Sequence, residues 1–259
     1  MRLRCTKYFF ILSFFPPFLV ASTIDNPNQL IDIAGQQRMF TQRMLKDYSM
    51  IGMNNTFGNS KEDLKEVIAR FEVQLKLLME HGGDDVSIQE KLKEEEQLWE
   101  PIKHRLELTP TQENLEKFQE DIDALLKVSH EVTDLFVQSC GHAHAKIVNL
   151  SGRQRMLSQR MASLYMLKVW GVDDKEFESK MRESMKDFKE ALSALQSFPL
   201  NTEEINQRLK KVERSFMFFE IMNRSSTKFI PTLIYKKSNE ILEDMNIITK
   251  AYVLVESKK

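Results

Sequence analysis

Cysteine is nearly absent from the chain, which carries only Cys5 and Cys140 in 259 residues. Cys5 precedes an apolar N-terminal run, so only Cys140 remains for the folded part and no intrachain disulfide is expected. Glycine and proline are also scarce, at eight and seven residues, while Leu, Lys, Glu and Met are plentiful. Few turns and many helix formers exclude a sheet-rich fold and favour long helices. Neither sign of charge dominates, with 37 basic against 38 acidic residues, so no basic surface points to nucleic acid. Past the N-terminus no run is apolar enough to span a membrane, which takes roughly 20 residues. There is no Ser-His-Asp pattern, Gly-rich phosphate loop or zinc-protease motif. An enzyme is therefore not expected, and no cofactor is called for.

The first 22 residues differ from the rest. Arg2, Arg4 and Lys7 precede the apolar run Tyr8 to Ala21, and Val20-Ala21-Ser22 supplies small residues for cleavage. Pro16-Pro17 interrupts any spanning helix. Residues 1–22 read as a secretory signal peptide, which implies an exported, periplasmic protein; an uncleaved membrane anchor is the other reading of this segment.

The chain also contains an internal repeat. Residues 31–48 read IDIAGQQRMFTQRMLKDY and residues 148–165 read VNLSGRQRMLSQRMASLY, a constant offset of 117. From Gly35 to Tyr48, 8 of 14 positions match their counterparts. The offset also pairs Leu64 with Met181, Phe71 with Phe188, Leu75 with Leu192 and Trp99 with Phe216. Two copies of one domain follow, placed at residues 23–140 and 141–259.

Apolar spacing and end signals predict eight helices, over about 27–53, 60–81, 87–107, 110–139, 142–170, 174–198, 201–224 and 231–256. Asn26-Pro27 reads as an N-cap with proline at the first helical position. Ser87 with Glu90, and Thr109-Pro110 with Gln112, read as capping boxes, and Asn201 as a further start. Four helices per copy make an all-α chain of two tandem four-helix bundles. Glu94-Glu95-Glu96 reads as a solvated helix face.

In the repeated segment Arg38 and Thr41 share a face with Ala34 and Leu45, flanked by Gly35 and Gln42. The counterparts are Arg155, Ser158, Gly152 and Gln159. Arg43 and Arg160 lie about 140° further round and point elsewhere. If two such helices pack face to face, Gly35 and Gly152 permit close approach and the two guanidiniums meet. They repel unless an anion sits between them, and a planar oxyanion suits the guanidinium fork. Thr41, Ser158, Gln42 and Gln159 are candidate neutral donors. Surface arginines paired with glutamate would give the same pattern without a ligand.

Cys140, His142 and His144 are the one soft-ligand cluster. Three groups of which one points away fall short of a metal site, so no metal is assigned.

The stretches AGQQRMFTQRM and SGRQRMLSQRM resemble the signature of the PilJ-type sensor domain, named for the type IV pilus chemotaxis transducer. That domain is similar to the periplasmic region of nitrate and nitrite sensor kinases of the NarX type. The resemblance covers the whole chain after residue 22 as two tandem domains. It implies an anion sensor with nitrate or nitrite as ligand, held by Arg38 with Gly35 and by Arg155 with Gly152. It further implies a membrane sensor kinase or chemoreceptor as partner. Unlike the usual members, this chain carries no kinase or chemotaxis output of its own. Copy one has Gln36 where copy two has Arg153, and Pro101 where copy two has Phe218.

One question of geometry stays open at this point. A turn at Gly141 places the copies side by side, and one chain builds the site from Arg38 and Arg155. A continuous helix stacks them end to end, and the site then needs a homodimer. The other functional reading is a ligand-free helical adaptor that docks on a receptor.

Overall fold

The computed structural model describes residues 24, 26–141, 143–172, 176–224 and 230–255. The signal peptide expected over 1–22 and the cluster residue His142 lie outside them. Among the described residues there are eight α-helices, one 3-10 turn and no strand. The helices are α1 (Pro27–Gly52), α2 (Ser60–His81), α3 (Val86–Glu107), α4 (Leu115–Cys140), α5 (Ala143–Trp170), α6 (Phe177–Gln196), α7 (Glu203–Arg224) and α8 (Pro231–Val255). None of them is long and apolar enough to cross a membrane.

α1 packs on α2 and α4, and α3 closes the square by packing on both. The second copy repeats this: α5 packs on α6 and α8, and α7 on both. Two four-helix bundles result, as the repeat implies. Among the described residues the most extensive helix–helix contact joins α1 to α5.

Repeated residues make repeated contacts. Gln37 Nε2 donates to the Phe71 carbonyl at 3.0 Å, and Gln154 Nε2 to the Phe188 carbonyl at 2.9 Å. Phe71 packs on Trp99 with ring centroids 4.3 Å apart, as Phe188 does on Phe216 at 4.5 Å. Tyr48 Oη accepts from the Thr111 amide, and Tyr165 Oη from the Ile230 amide. Each tyrosine thereby ties the end of a first helix to the segment ahead of or at the start of a fourth.

Helix ends follow local chemistry and differ from the expectation at three starts. Asn26 caps α1 as expected, its side chain accepting from the Asn28 amide at 2.8 Å. α3 is capped by Asp85, which accepts from the amides of Ser87 and Ile88, so the Ser87–Glu90 box does not form. A carboxylate at the N-cap satisfies two amides and meets the helix dipole. α4 begins at Leu115 and not at 110, because Asn114 sits in the left-handed region at φ 52°. Thr111 and Gln112 turn outward from the helix to reach Tyr48 and the Trp170 carbonyl. α7 starts after Thr202, whose Oγ1 accepts from the Ile205 amide at 3.3 Å. Asn201 instead donates to the Leu195 carbonyl and accepts from Tyr252 Oη.

Gly141 decides the arrangement of the copies. It caps α4 at φ 65°, a conformation that glycine adopts without strain. The helix stops there, α5 starts afresh at Ala143, and α1 and α5 lie against each other within one chain.

A consequence is that α1 is not half-exposed. From Gln37 to Met50 every residue except Arg43 is buried, because α5 covers the side that the first bundle leaves open. The polar residues Arg38, Gln42, Lys46 and Asp47 are therefore interior.

Candidate functional site

The middle of the α1–α5 contact holds the two arginines. Arg38 and Arg155 are 0 % and 1 % exposed. A Cβ on Gly35 would stand 3.2 Å from Arg38 Nη2 and 3.5 Å from Arg155 Nη2; on Gly152 the two distances interchange. Both guanidinium tips therefore occupy one small space, walled by the two glycines and related by a pseudo-two-fold axis. Hydrogen at both Cα positions gives the tips that space.

Neighbours of the two arginines are related by the repeat but are not identical. Arg38 Nη2 donates to Asn149 Oδ1 at 2.8 Å, and Arg155 Nη2 to Asp32 Oδ1 at 2.6 Å. Asp32 and Asn149 are counterparts at the offset of 117. Arg38 Nη1 donates to His130 Nδ1 at 3.0 Å, and Arg155 Nη1 to Asn246 Oδ1 at 3.2 Å. The Nε of each arginine is buried and has no hydrogen-bond partner. Burial pushes the Arg38 guanidinium down to about 9, with Arg155 and Arg153 acting the same way and Asp134 opposing them. The charged form thus stands in a region that disfavours it, and an anion would relieve both effects.

The candidate neutral donors are less available. Thr41 Oγ1 donates to the Arg38 carbonyl and Ser158 Oγ to the Arg155 carbonyl. Gln42 Nε2 reaches Thr41 Oγ1 and its Oε1 accepts from Ser163. Gln159 accepts from Lys46 and donates to the Ser238 carbonyl. The structure brings Gly35, Arg38, Gly152 and Arg155 together, whereas these four side chains are engaged in and beyond the next turn. Arg43 and Arg160 point away as expected, towards Asp63 and Asp123.

Asp32, Asn149, His130 and Asn246 were not foreseen. Asp32 and Asn149 stood inside the repeated segment, six residues ahead of each arginine. His130 and Asn246 come from α4 and α8, whose register the repeat leaves loose.

His130 also lines a groove between α4 and α5 of about 400 Å³, with Asp123, Lys127, Arg153 and Arg160. Its Nδ1 accepts from Arg38, so the proton sits on Nε2, 3.5 Å from Asp134 Oδ2. Burial lowers the imidazole below its usual 6.5, Arg38 and Arg153 lower it further, and Asp134 and Glu131 oppose. Protonation removes the acceptor and adds positive charge. The contribution of His130 to the stability of the anion-free protein is thus expected to fall as pH drops through and below 6.5, and an anion placed beside Arg38 is expected to be held several-fold more tightly there. Calorimetric titrations across pH 5–8 test this, and the dependence should flatten in His130→Gln.

A second polar layer lies two turns along α1. Lys46 is fully buried; its Nζ donates to Gln159 Oε1 at 2.7 Å and Asn239 Oδ1 at 2.6 Å, above the Tyr235 ring. Burial lowers its ammonium to about 8 and raises the neighbouring Asp47 carboxyl to about 6. Copy two has Ser163 and Leu164 at these positions. Glu95 is also buried, contrary to the solvated face expected of Glu94-Glu95-Glu96. It falls on the inward stripe with Leu92 and Trp99 and accepts from Ser129 Oγ at 2.5 Å.

Among the described residues no group of three or more His, Cys, Asp or Glu side chains could hold a metal ion.

A family model for the type IV pili methyl-accepting chemotaxis transducer N-terminal domain, PilJ, matches residues 19–127 and 141–216. The chain belongs to the PilJ family. One matched segment falls in each half of the repeat, and each contains one Gly-x-x-Arg. PilJ is a sensory domain family and not a catalytic one. No curated protein and no solved structure matches the chain. As a PilJ protein it carries two copies of the domain, and their first helices face each other inside a single chain.

The glycine walls can be tested directly. Gly35→Ala is helical and adds helix propensity worth about 1 kcal/mol, so folding should persist. Its methyl, however, would press on Arg38 Nη2 at 3.2 Å and fill the space between the guanidiniums. The expected result is an intact melting transition and, for an anion that the parent protein holds between the arginines, a dissociation constant at least tenfold higher.

Proposed function

We propose that this chain is an exported sensor that binds a small planar oxyanion, nitrate or nitrite, between Arg38 and Arg155. Occupancy then passes to a membrane sensor kinase or chemoreceptor. The observation that carries this reading is the pair of buried guanidiniums sharing one space between Gly35 and Gly152. Two like charges at a buried contact oppose the packing of α1 on α5. An anion held by both reverses the sign of that interaction and donates nothing chemically, so binding tightens the contact and no bond need be made. Since α1 and α5 are the central helices of their bundles, a change in their contact biases how the two bundles sit together. PilJ membership supports a sensory role and a chemoreceptor setting.

The test is a thermal melt of residues 23–259 against small anions at fixed ionic strength. Nitrate or nitrite should give a rise that grows with the logarithm of concentration above the dissociation constant, about 2.7 kcal/mol at one hundred times that constant, and chloride and sulfate should not. Arg155→Lys should lose most of the rise, because a lysine offers no bidentate fork. A melt that no anion moves would favour the ligand-free adaptor instead.

A further inference from the structure

Asp32 and Asn149 put a carboxylate and an amide at the same position in the two halves of the clamp, and that difference has a use. We infer that Asp32 sets the charge selectivity of the site: by holding Arg155 it leaves one excess positive charge between the glycines, so the clamp accepts a singly charged oxyanion and rejects a doubly charged one. The inference rests on the anion-clamp reading above.

Four observations carry it. Asp32 Oδ1 lies 2.6 Å from Arg155 Nη2, while its counterpart Asn149 offers Arg38 a neutral oxygen at 2.8 Å. The same geometry is thus built twice, once with a carboxylate and once with an amide. Asp32 is only 12 % exposed at its side chain, so its charge is little screened by water. It is held in place from behind, since Gln36 Nε2 donates to Asp32 Oδ2 at 3.1 Å. Gln36 Oε1 in turn accepts from Gln74 and Arg70 of α2. Asn149 is likewise fixed, its Nδ2 donating to Asp134 Oδ1 at 3.2 Å.

The nearby Arg153 is matched by Asp187 at 2.5 Å, and that pair adds no net charge. Asp134 also acts on Arg38, but its side chain is 41 % exposed and its charge is screened by water; inside the buried space Arg38, Arg155 and Asp32 sum to a single positive charge. A monovalent anion neutralises it, whereas a divalent one would leave an uncompensated negative charge in a buried space, which is costly.

Asp32→Asn gives both arginines an amide oxygen at this position and raises the excess charge to two. The chain already tolerates the Asn–Arg pair at Asn149, so the variant is expected to fold; Asp32→Ala removes the same charge and serves as the second variant. The full chain after residue 22 and both variants are titrated with nitrate and with sulfate at constant ionic strength. The expected result is that the sulfate-to-nitrate affinity ratio rises at least tenfold in both variants. Nitrate binding with an unchanged ratio would overturn the role of Asp32 and leave the clamp standing. Binding confined to the variants would also overturn it, since Asp32 would then be a tethered competitor that excludes every anion. No response to either anion in any of the three proteins would remove the clamp itself, and the inference with it.

Discussion

Replacing Arg38 by methionine is expected to leave the anion-free protein as stable as before or up to about 2 kcal/mol more stable, while abolishing stabilisation by nitrate. Arg38 is the less well matched of the pair. It hydrogen-bonds to neutral His130 and Asn149; burial and Arg155 disfavour its charge, opposed in part by Asp134, whose side chain is 41 % exposed. Methionine fills much of the same volume without charge, and Arg155 keeps Asp32. The reverse substitution, Arg155→Met, should destabilise the anion-free protein by about 2–3 kcal/mol, because it strands a largely buried carboxylate. Both variants should lose nitrate binding. Melting curves with and without nitrate check both effects. Equal destabilisation by the two substitutions, with binding retained, would mean that the arginines only pack.

The second large effect concerns Glu95. Burial raises its carboxyl from 4.5 to about 7, opposed in part by Ser129. The folded state therefore favours the protonated form. The resulting stability is full below pH 4.5 and is lost as pH rises through about 7. Glu95→Gln stays neutral throughout and keeps an oxygen for Ser129. At pH 8 it should be more stable than the parent by about 2–3 kcal/mol, or on the order of 5–10 °C in melting temperature. At pH 4.5 the difference should vanish. Asp47, raised to about 6, shifts stability in the same direction in both proteins and cancels in the comparison. Lys46, lowered to about 8, loses its contribution between pH 10.5 and 8 and stays constant below, so it does not enter this window.

The arginine pair was legible in the sequence because the repeat carried it in register: Gly35, Arg38, Gly152 and Arg155 stand at one offset, and the helical period alone puts each glycine and arginine on neighbouring positions. Burial of the polar side of α1 was not legible. Nothing in the spacing of Lys46 and Asp47 marks them as interior, and the packing of α5 and α8 on α1 makes them so. Glu95 was hidden by its acidic neighbours Glu94 and Glu96, although its spacing from Leu92 and Trp99 placed it on the core stripe. His130 and Asn246 could not be assigned because they reach the site from the fourth helix of each copy. Side-by-side packing turned on Gly141, whose left-handed conformation is one of two that the sequence allowed.

That packing makes the stoichiometry of binding the most direct test of the account. Nitrate titrated calorimetrically into the chain after residue 22 should bind once per chain, with a ratio independent of protein concentration. A ratio of one anion per two chains, or two equal sites per chain, or no heat at any concentration, would contradict a clamp built from Arg38 and Arg155 of the same molecule.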